Sequence, residues 1–381
     1  MAATRSRNGA RAGYRRIVAK FGTNLLTAGS PHLDAKVMAS LASQIVRLAD
    51  EGREVVVVTS GAIAAGRARM GITRERKDIP FRQMLAAVGQ PHLMQAYERL
   101  FRPSGRAIAQ TLLSRRDLSD RAGYLNARNT LLGLLELGAV PIVNENDAVA
   151  IDEIAGEKIG DNDTLSALVA NLIDADLLAI LTDTGGLYTA DPRRHKSAQL
   201  VERVDRITKE IEQLAGGSDS GRGVGGMITK LQAAKLATGG GADVFIADGH
   251  EKHVLERLAR GEHVGTWLPA RRSSMESRKR WMLSGLSARG RIVVDAGAAK
   301  ALLEHSRSLL PAGVREVQGP FKRGDAVHIC SPDGQAFACG ITNYGDADLA
   351  AIQGVRSDRI AEVLGHQYGS EVVHRNNLVL L

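Results

Sequence analysis

Six apolar runs constrain this chain more than anything else in it: "RIVAKFG" (16–22), "EVVVVTSG" (54–61), "RAIAQTLL" (106–113), "AVPIVN" (139–144), "LLAILTD" (177–183) and "ADVFIAD" (242–248). Several are near-continuous rather than alternating, which suits strands buried on both faces, as in a mostly parallel sheet. Helical patterns lie between them at 33–50, 82–101, 121–137 and 228–237. Repeated β–α alternation predicts an α/β protein with an αβα sandwich. Around 265–290 the pattern changes to mixed charge with no clear strand, and shorter strands with turn residues follow in "RIVVDAG", "FKRGDAVHICSPDGQAFACG" and "EVVHRNNLVLL". "SPDGQ" between two apolar runs is a hairpin signal. The expected organisation is a disordered basic leader at 1–15, an α/β domain at 16–264, a linker at 265–288 and a small β-rich domain at 289–381.

A length of 381 residues agrees with two domains. The formal charge of +8 is spread unevenly: residues 1–16 carry five arginines and no acid, and 265–381 carry 15 Lys and Arg against 11 Asp and Glu, which leaves 17–264 slightly acidic. The basic balance therefore does not describe the α/β part. Aromatic residues are only 4% of the chain, too few for a stack of rings that reads nucleic acid. Cys330 and Cys339 form no CxxC pair and no zinc spacing, which predicts free thiols in a reducing cytosol and a cytoplasmic protein. No stretch approaches the ~18 consecutive apolar residues of a membrane helix, and the N-terminus lacks the apolar core of a secretory signal.

Ligands in open α/β sheets bind beyond the carboxyl ends of the strands. Small residues sit at that place here. "AKFGTN" sets Lys20, Gly22 and Thr23 just after the first strand, and "VVVVTSGAIAAGR" sets Thr59, Ser60 and Gly61 between a strand and a helix. Such loops let the backbone approach a phosphate at a helix N-terminus, and each by itself is equally well a tight turn without a ligand. A third piece, "GGSDSGRGVGGMITKLQAAKLA" (216–237), places six glycines before a helix expected to begin near Ile228, with Lys230 in its first turn. It is not a Walker A loop, which needs Lys directly after the last Gly. A surface loop is the other reading of this stretch.

The segment 144–163, "NENDAVAIDEIAGEKIGDND", holds seven acids and one lysine. A calcium loop is disfavoured, because a template started at Asp161 puts Ser166 at the glycine position and Leu172 at the position of the final glutamate. A solvated hairpin explains 150–159, and explains Asp147 and "GDND" less well, since these flank a strand end and a helix start.

In this order, "VAKFGTNLL", "VVVVTSGAIAAGR", "QMLAAVGQPHLM", "YLNARNTLLGLL", "PIVNENDAVA", "KIGDNDTLSALVA", "LLTDTGGLYTADPR" and "GVGGMITKLQAA" resemble the amino acid kinase family over nearly all of 16–250. The match is best to members that phosphorylate the side-chain carboxylate of L-glutamate. Residues 289–367 resemble the PUA domain. One departure is Phe21 and Asn24 in a loop that commonly reads Lys-Leu-Gly-Thr-Ser; Phe21 should point to the sheet core.

The resemblance implies that ATP and L-glutamate give ADP and L-glutamyl 5-phosphate, the first step of proline biosynthesis. It implies catalytic roles for Lys20 and Lys230, which flank the migrating phosphoryl group, and for Asp163, which holds them in register. Ser60, Asp147 and Asn162 would read glutamate, with Asp147 taking its ammonium and the other two donating to its carboxylates. The nucleotide would meet Lys20, Gly22, Gly61, Thr182 and Asp183, and the segment Val224, Gly225, Gly226, Met227, Ile228, Thr229 and Lys230. Mg²⁺ would ride mainly on the ATP phosphates, with no dedicated protein metal site. Proline as inhibitor, a homo-oligomer and a glutamyl-phosphate reductase as recipient are further expectations. The alternatives are a kinase for N-acetylglutamate or aspartate, and RNA binding through the C-terminal domain, which its modest charge disfavours.

Overall fold

The computed structural model describes residues 13–73, 76, 78–149, 162–216, 225–270, 288–305 and 307–381. The predicted hairpin at 150–159, Asp161 and Val224 lie outside the described residues, as does most of the leader. The first six strands form where the apolar runs predict them: β1 (Arg16–Phe21), β2 (Glu54–Thr59), β3 (Ile108–Leu113), β4 (Val140–Glu145), β5 (Leu177–Thr182) and β6 (Asp243–Asp248). A seventh, β7 (Thr266–Leu268), was not legible as a strand. Three residues are too few to show a period. The helices of this part are, in chain order, α1 (Thr23–Thr27), α2 (Ala35–Asp50), α3 (Ala62–Met70), α4 (Ile79–Phe101), α5 (Arg115–Ser119), α6 (Arg121–Glu136), α7 (Asn162–Leu172), α8 (Lys209–Gly216), α9 (Gly225–Gly240) and α10 (Val254–Ala259).

Strand order is β3-β4-β2-β1-β5-β6-β7, and every pair is parallel except β6–β7. On one face of the sheet Ile17, Ala19, Phe21, Val55, Val57, Ala179, Leu181 and Phe245 pack in one core with α2, α4 and α10. Alternate residues therefore face the other side, where α7 and α9 pack. This period of two separates neighbours in the first loop: Phe21 joins the core at 1% exposure, and Lys20 turns toward α7. The helix α2 shows why these segments are helical. Asp34 caps it by accepting from the amides of Lys36 (2.8 Å) and Val37 (2.9 Å), and Met38, Leu41, Ala42, Ile45 and Leu48 form its buried stripe.

The helices α3 and α4 touch backbone to backbone. A Cβ on Gly66 would stand 1.9 Å from the Leu85 carbonyl oxygen, and one on Gly89 would stand 1.8 Å from that of Ala62. Only glycine allows this approach, and it fixes the two helices relative to each other.

The chain divides into two compact units, Met1–Arg116 with Leu131–Arg272, and Asp117–Thr130 with Ser273–Leu381. The second unit contains a separate five-stranded sheet, β12-β11-β10-β8-β9, made of β8 (Gly290–Val294), β9 (Val314–Gln318), β10 (Ala326–Cys330), β11 (Ala336–Ile341) and β12 (Leu378–Leu380). The expected "SPDGQ" hairpin joins β10 to β11, with Gly334 at φ +81°. Ile292, Val294, Phe321, Val327, Ile329 and Tyr344 fill its core. Cys330 and Cys339 are buried and free. No helix among the described residues is long and apolar enough to cross a membrane.

Candidate active site

The polar groups converge at the carboxyl ends of the central strands. Asp163, in the first turn of α7, is fully buried. It meets Lys20 of β1 through Oδ1 in an ion pair, and Lys230 of α9 through Oδ2 at 3.2 Å. The Thr229 hydroxyl also donates to Oδ2, at 2.9 Å. Two ammonium groups thus share one carboxylate, with side chains only 4% (Lys20) and 13% (Lys230) exposed. These named charges leave an excess of positive charge on largely buried side chains, which favours an anion beside them.

The glycine loops surround that pair. Gly22 caps α1, and a Cβ there would lie 3.7 Å from the Lys20 ammonium; the corresponding distance from Gly226 to the Lys230 ammonium is also 3.7 Å. Gly61 caps α3 at φ +104°, a conformation that favours glycine. Helix α9 begins at Gly225, not near Ile228 as expected, so Lys230 stands in its second turn. Isolated glycine runs favour loops, yet Gly225, Gly226 and Met227 are helical here, in a helix that packs against α7. Thr182 ends β5 and Asp183 follows it, the Thr182 hydroxyl donating to Asp183 Oδ1 at 3.0 Å, and Asn24 reaches Asp183 Oδ2 at 3.4 Å.

A cavity of about 400 Å³ opens beside this cluster. Ser60, Asp147 and Asn162 line it together, along with Thr23, Arg67 and Arg82. Asn162 and Asp163 are consecutive at the start of α7, so one residue faces the cavity and the next holds the lysines. Both Asn162 amide hydrogens point to acceptors within the protein, Ser60 Oγ (3.1 Å) and Asn144 Oδ1 (3.2 Å). Sequence reasoning gave no role to Arg67 or Arg82. Arg67 stands inside the quoted "GAIAAGR" motif, but arginines on helices are so often solvated that the spacing alone carried no signal.

Among the described residues no cluster of three His, Cys, Asp or Glu could hold a metal.

The model of the amino acid kinase family matches residues 15–248, and that of the PUA domain matches 290–364. The glutamate 5-kinase of Dehalococcoides mccartyi (strain CBDB1) is 55% identical over 97% of this chain and 99% of its own length. That of Herpetosiphon aurantiacus is 50% identical over 96% and 98%, and that of Shewanella pealeana 49% over 97% and 98%. The chain belongs to the amino acid kinase family and carries a PUA domain after its kinase domain.

Proposed function

We propose that this chain transfers the γ-phosphoryl group of ATP to the side-chain carboxylate of L-glutamate, as a glutamate 5-kinase at the start of proline biosynthesis. The observation that carries the reading is the buried Asp163 with Lys20 and Lys230 on its two oxygens, beside a cavity that holds Asp147. Phosphoryl transfer needs positioning and charge stabilisation more than covalent help. Lys20 and Lys230 would offset negative charge on the equatorial oxygens, and Asp163 keeps both ammonium groups at fixed positions. Backbone amides at Gly22, Gly61 and the start of α9 would bind phosphate oxygens. Thr182 and Asp183 would contact the nucleotide. Mg²⁺ bound to the ATP phosphates would shield their charge.

The acceptor explains why no general base is needed. A glutamate side chain has a reference pKa of about 4.3 and is ionised at neutral pH. Asp147 would take the substrate ammonium. An N-acetylated amine brings no positive charge to it, which disfavours N-acetylglutamate. Proline shares the amino and α-carboxylate groups of glutamate, and would compete for the same cavity as a feedback inhibitor.

The test is ADP release with L-glutamate, N-acetylglutamate, aspartate and UMP side by side, with hydroxylamine to trap acyl phosphate. Hydroxamate from L-glutamate alone is the expected result. Equal or better turnover of another acceptor refutes the assignment.

A further inference from the structure

Five polar side chains from five places in the first unit bond in series. Gln90 of α4 donates to Gln110 Oε1 of β3 at 3.0 Å, and Asn144 of β4 donates to Gln90 Oε1 at 2.9 Å. Asn162 of α7 donates to Asn144 Oδ1 at 3.2 Å and to Ser60 Oγ at 3.1 Å. One backbone group orients the whole series. The amide of Glu145 donates to Asn144 Oδ1 at 2.9 Å, and a backbone N–H can only donate. The oxygen of Asn144 must therefore face Glu145 and Asn162. Its NH₂ must face Gln90, which has to present an oxygen in return. Asn162 must present its NH₂ to both neighbours. Ser60 then accepts from Asn162, which leaves its single hydroxyl hydrogen to donate elsewhere, and Ser60 lines the cavity.

We propose that Gln90 is a positioning residue for substrate binding: it holds the Asn144 amide in the orientation that makes Ser60 a hydrogen-bond donor to a substrate carboxylate. This rests on the reading that the cavity takes L-glutamate. Gln90 does not line the cavity and acts only through Asn144, which is 1% exposed. Its backbone is rigidly set, because the preceding Gly89 is the residue pressed against Ala62 of α3. Without an acceptor at position 90, the Asn144 NH₂ is left buried without its partner. Rotating that amide would bring NH₂ against the Glu145 N–H and the Asn162 NH₂. Either outcome loosens Ser60.

Two variants of the full chain test this, Gln90→Met and Gln90→Glu, with KM for L-glutamate, KM for ATP, kcat and thermal melting measured for each. Gln90→Met removes the acceptor, and KM for L-glutamate is expected to rise about tenfold. Its kcat and KM for ATP are expected to stay within about twofold of the parent. Gln90→Glu keeps an oxygen toward Asn144, so KM for L-glutamate returns to within about threefold of the parent value; the exposed Gln110 amide can turn to donate. The proposal is overturned if both KM values move together in Gln90→Met, if neither moves, or if Gln90→Glu is as impaired as Gln90→Met. Should Gln90→Met fail to fold, a tenfold rise in Gln90→Glu alone overturns it, and a parental KM supports it. The parent chain, assayed for hydroxamate in the same plates, separates the two readings. No product from L-glutamate removes the proposed function and this inference with it. A productive parent with an unresponsive Gln90→Met removes only the inference.

Discussion

Replacing Lys230 by alanine separates catalysis from stability. In the folded chain Lys230 lies 3.2 Å from Asp163 Oδ2, while Lys20 occupies Oδ1 and Thr229 also donates to Oδ2. Asp163 thus keeps one cation and one hydroxyl after the change, and no buried charge is stranded. The stability loss is two charge-assisted hydrogen bonds, to Asp163 Oδ2 and to the Gly226 carbonyl oxygen at 3.0 Å, about 1.5–3 kcal/mol each at most. Partial exposure of Lys230 and the better helix propensity of alanine reduce it further. The rate is affected differently. A preorganised group aimed at charge that develops in the transition state is worth about 2.7–4 kcal/mol, so kcat should fall about 10²- to 10³-fold. The assay is hydroxamate formation at saturating ATP and L-glutamate, paired with a melting curve of the same preparation. A kcat within about threefold of the parent would refute the charge-stabilising role. So would a rate loss that the fraction unfolded fully explains.

Other substitutions test other parts of the molecule. Asp147→Asn should raise KM for L-glutamate about tenfold or more and leave KM for ATP nearly unchanged, since a charged hydrogen bond to the ammonium is lost; equal shifts in both would mean that Asp147 does not contact the amino acid. Gly89→Ala forces a Cβ to within 1.8 Å of the Ala62 carbonyl oxygen, and should cost about 1–3 kcal/mol or more in denaturant unfolding as α3 and α4 separate; an unchanged midpoint would show that the crossing is not tight. Burial raises the Tyr97 phenol above its ordinary value near 10, although a hydrogen bond with Thr59 lowers it in part. Because the folded pKa is raised, the contribution is complete below the unfolded value and declines as pH climbs past about 10, where only the unfolded chain releases the proton. Stability should therefore fall more steeply between pH 9 and 11 in the parent than in Tyr97→Phe, measured by urea unfolding; parallel curves would contradict the burial argument.

The apolar runs located six strands of the first sheet within a residue or two, because the strands buried on both faces, and the apolar edge strand β3, leave a local mark in composition. β7 and β9 left none: one is three residues long, and the other is an edge strand with largely exposed side chains. The start of α9 was misplaced for a similar reason. Its glycines read as loop because glycine has low helix propensity, yet they are helical in the folded chain. Motif order pointed to Lys20, Asp163, Lys230, Ser60, Asp147 and Asn162, which the fold gathers at the carboxyl ends of the strands. It did not point to Arg67, Arg82, Gln90 and Asn144, since nothing in their spacing shows what they face.

The sequence by itself determined the layered α/β architecture, the separate β-rich domain and the residue types near the strand ends. These follow from burial patterns and glycine positions that act over a few residues. Only the tertiary structure decided that each lysine takes its own oxygen of Asp163, and that the Asn162 hydrogens are committed to Ser60 and Asn144. Charge pairing and hydrogen-bond polarity depend on neighbours in space. Here those neighbours come from β1, β2, β4, α7 and α9, and only the folded sheet brings them together.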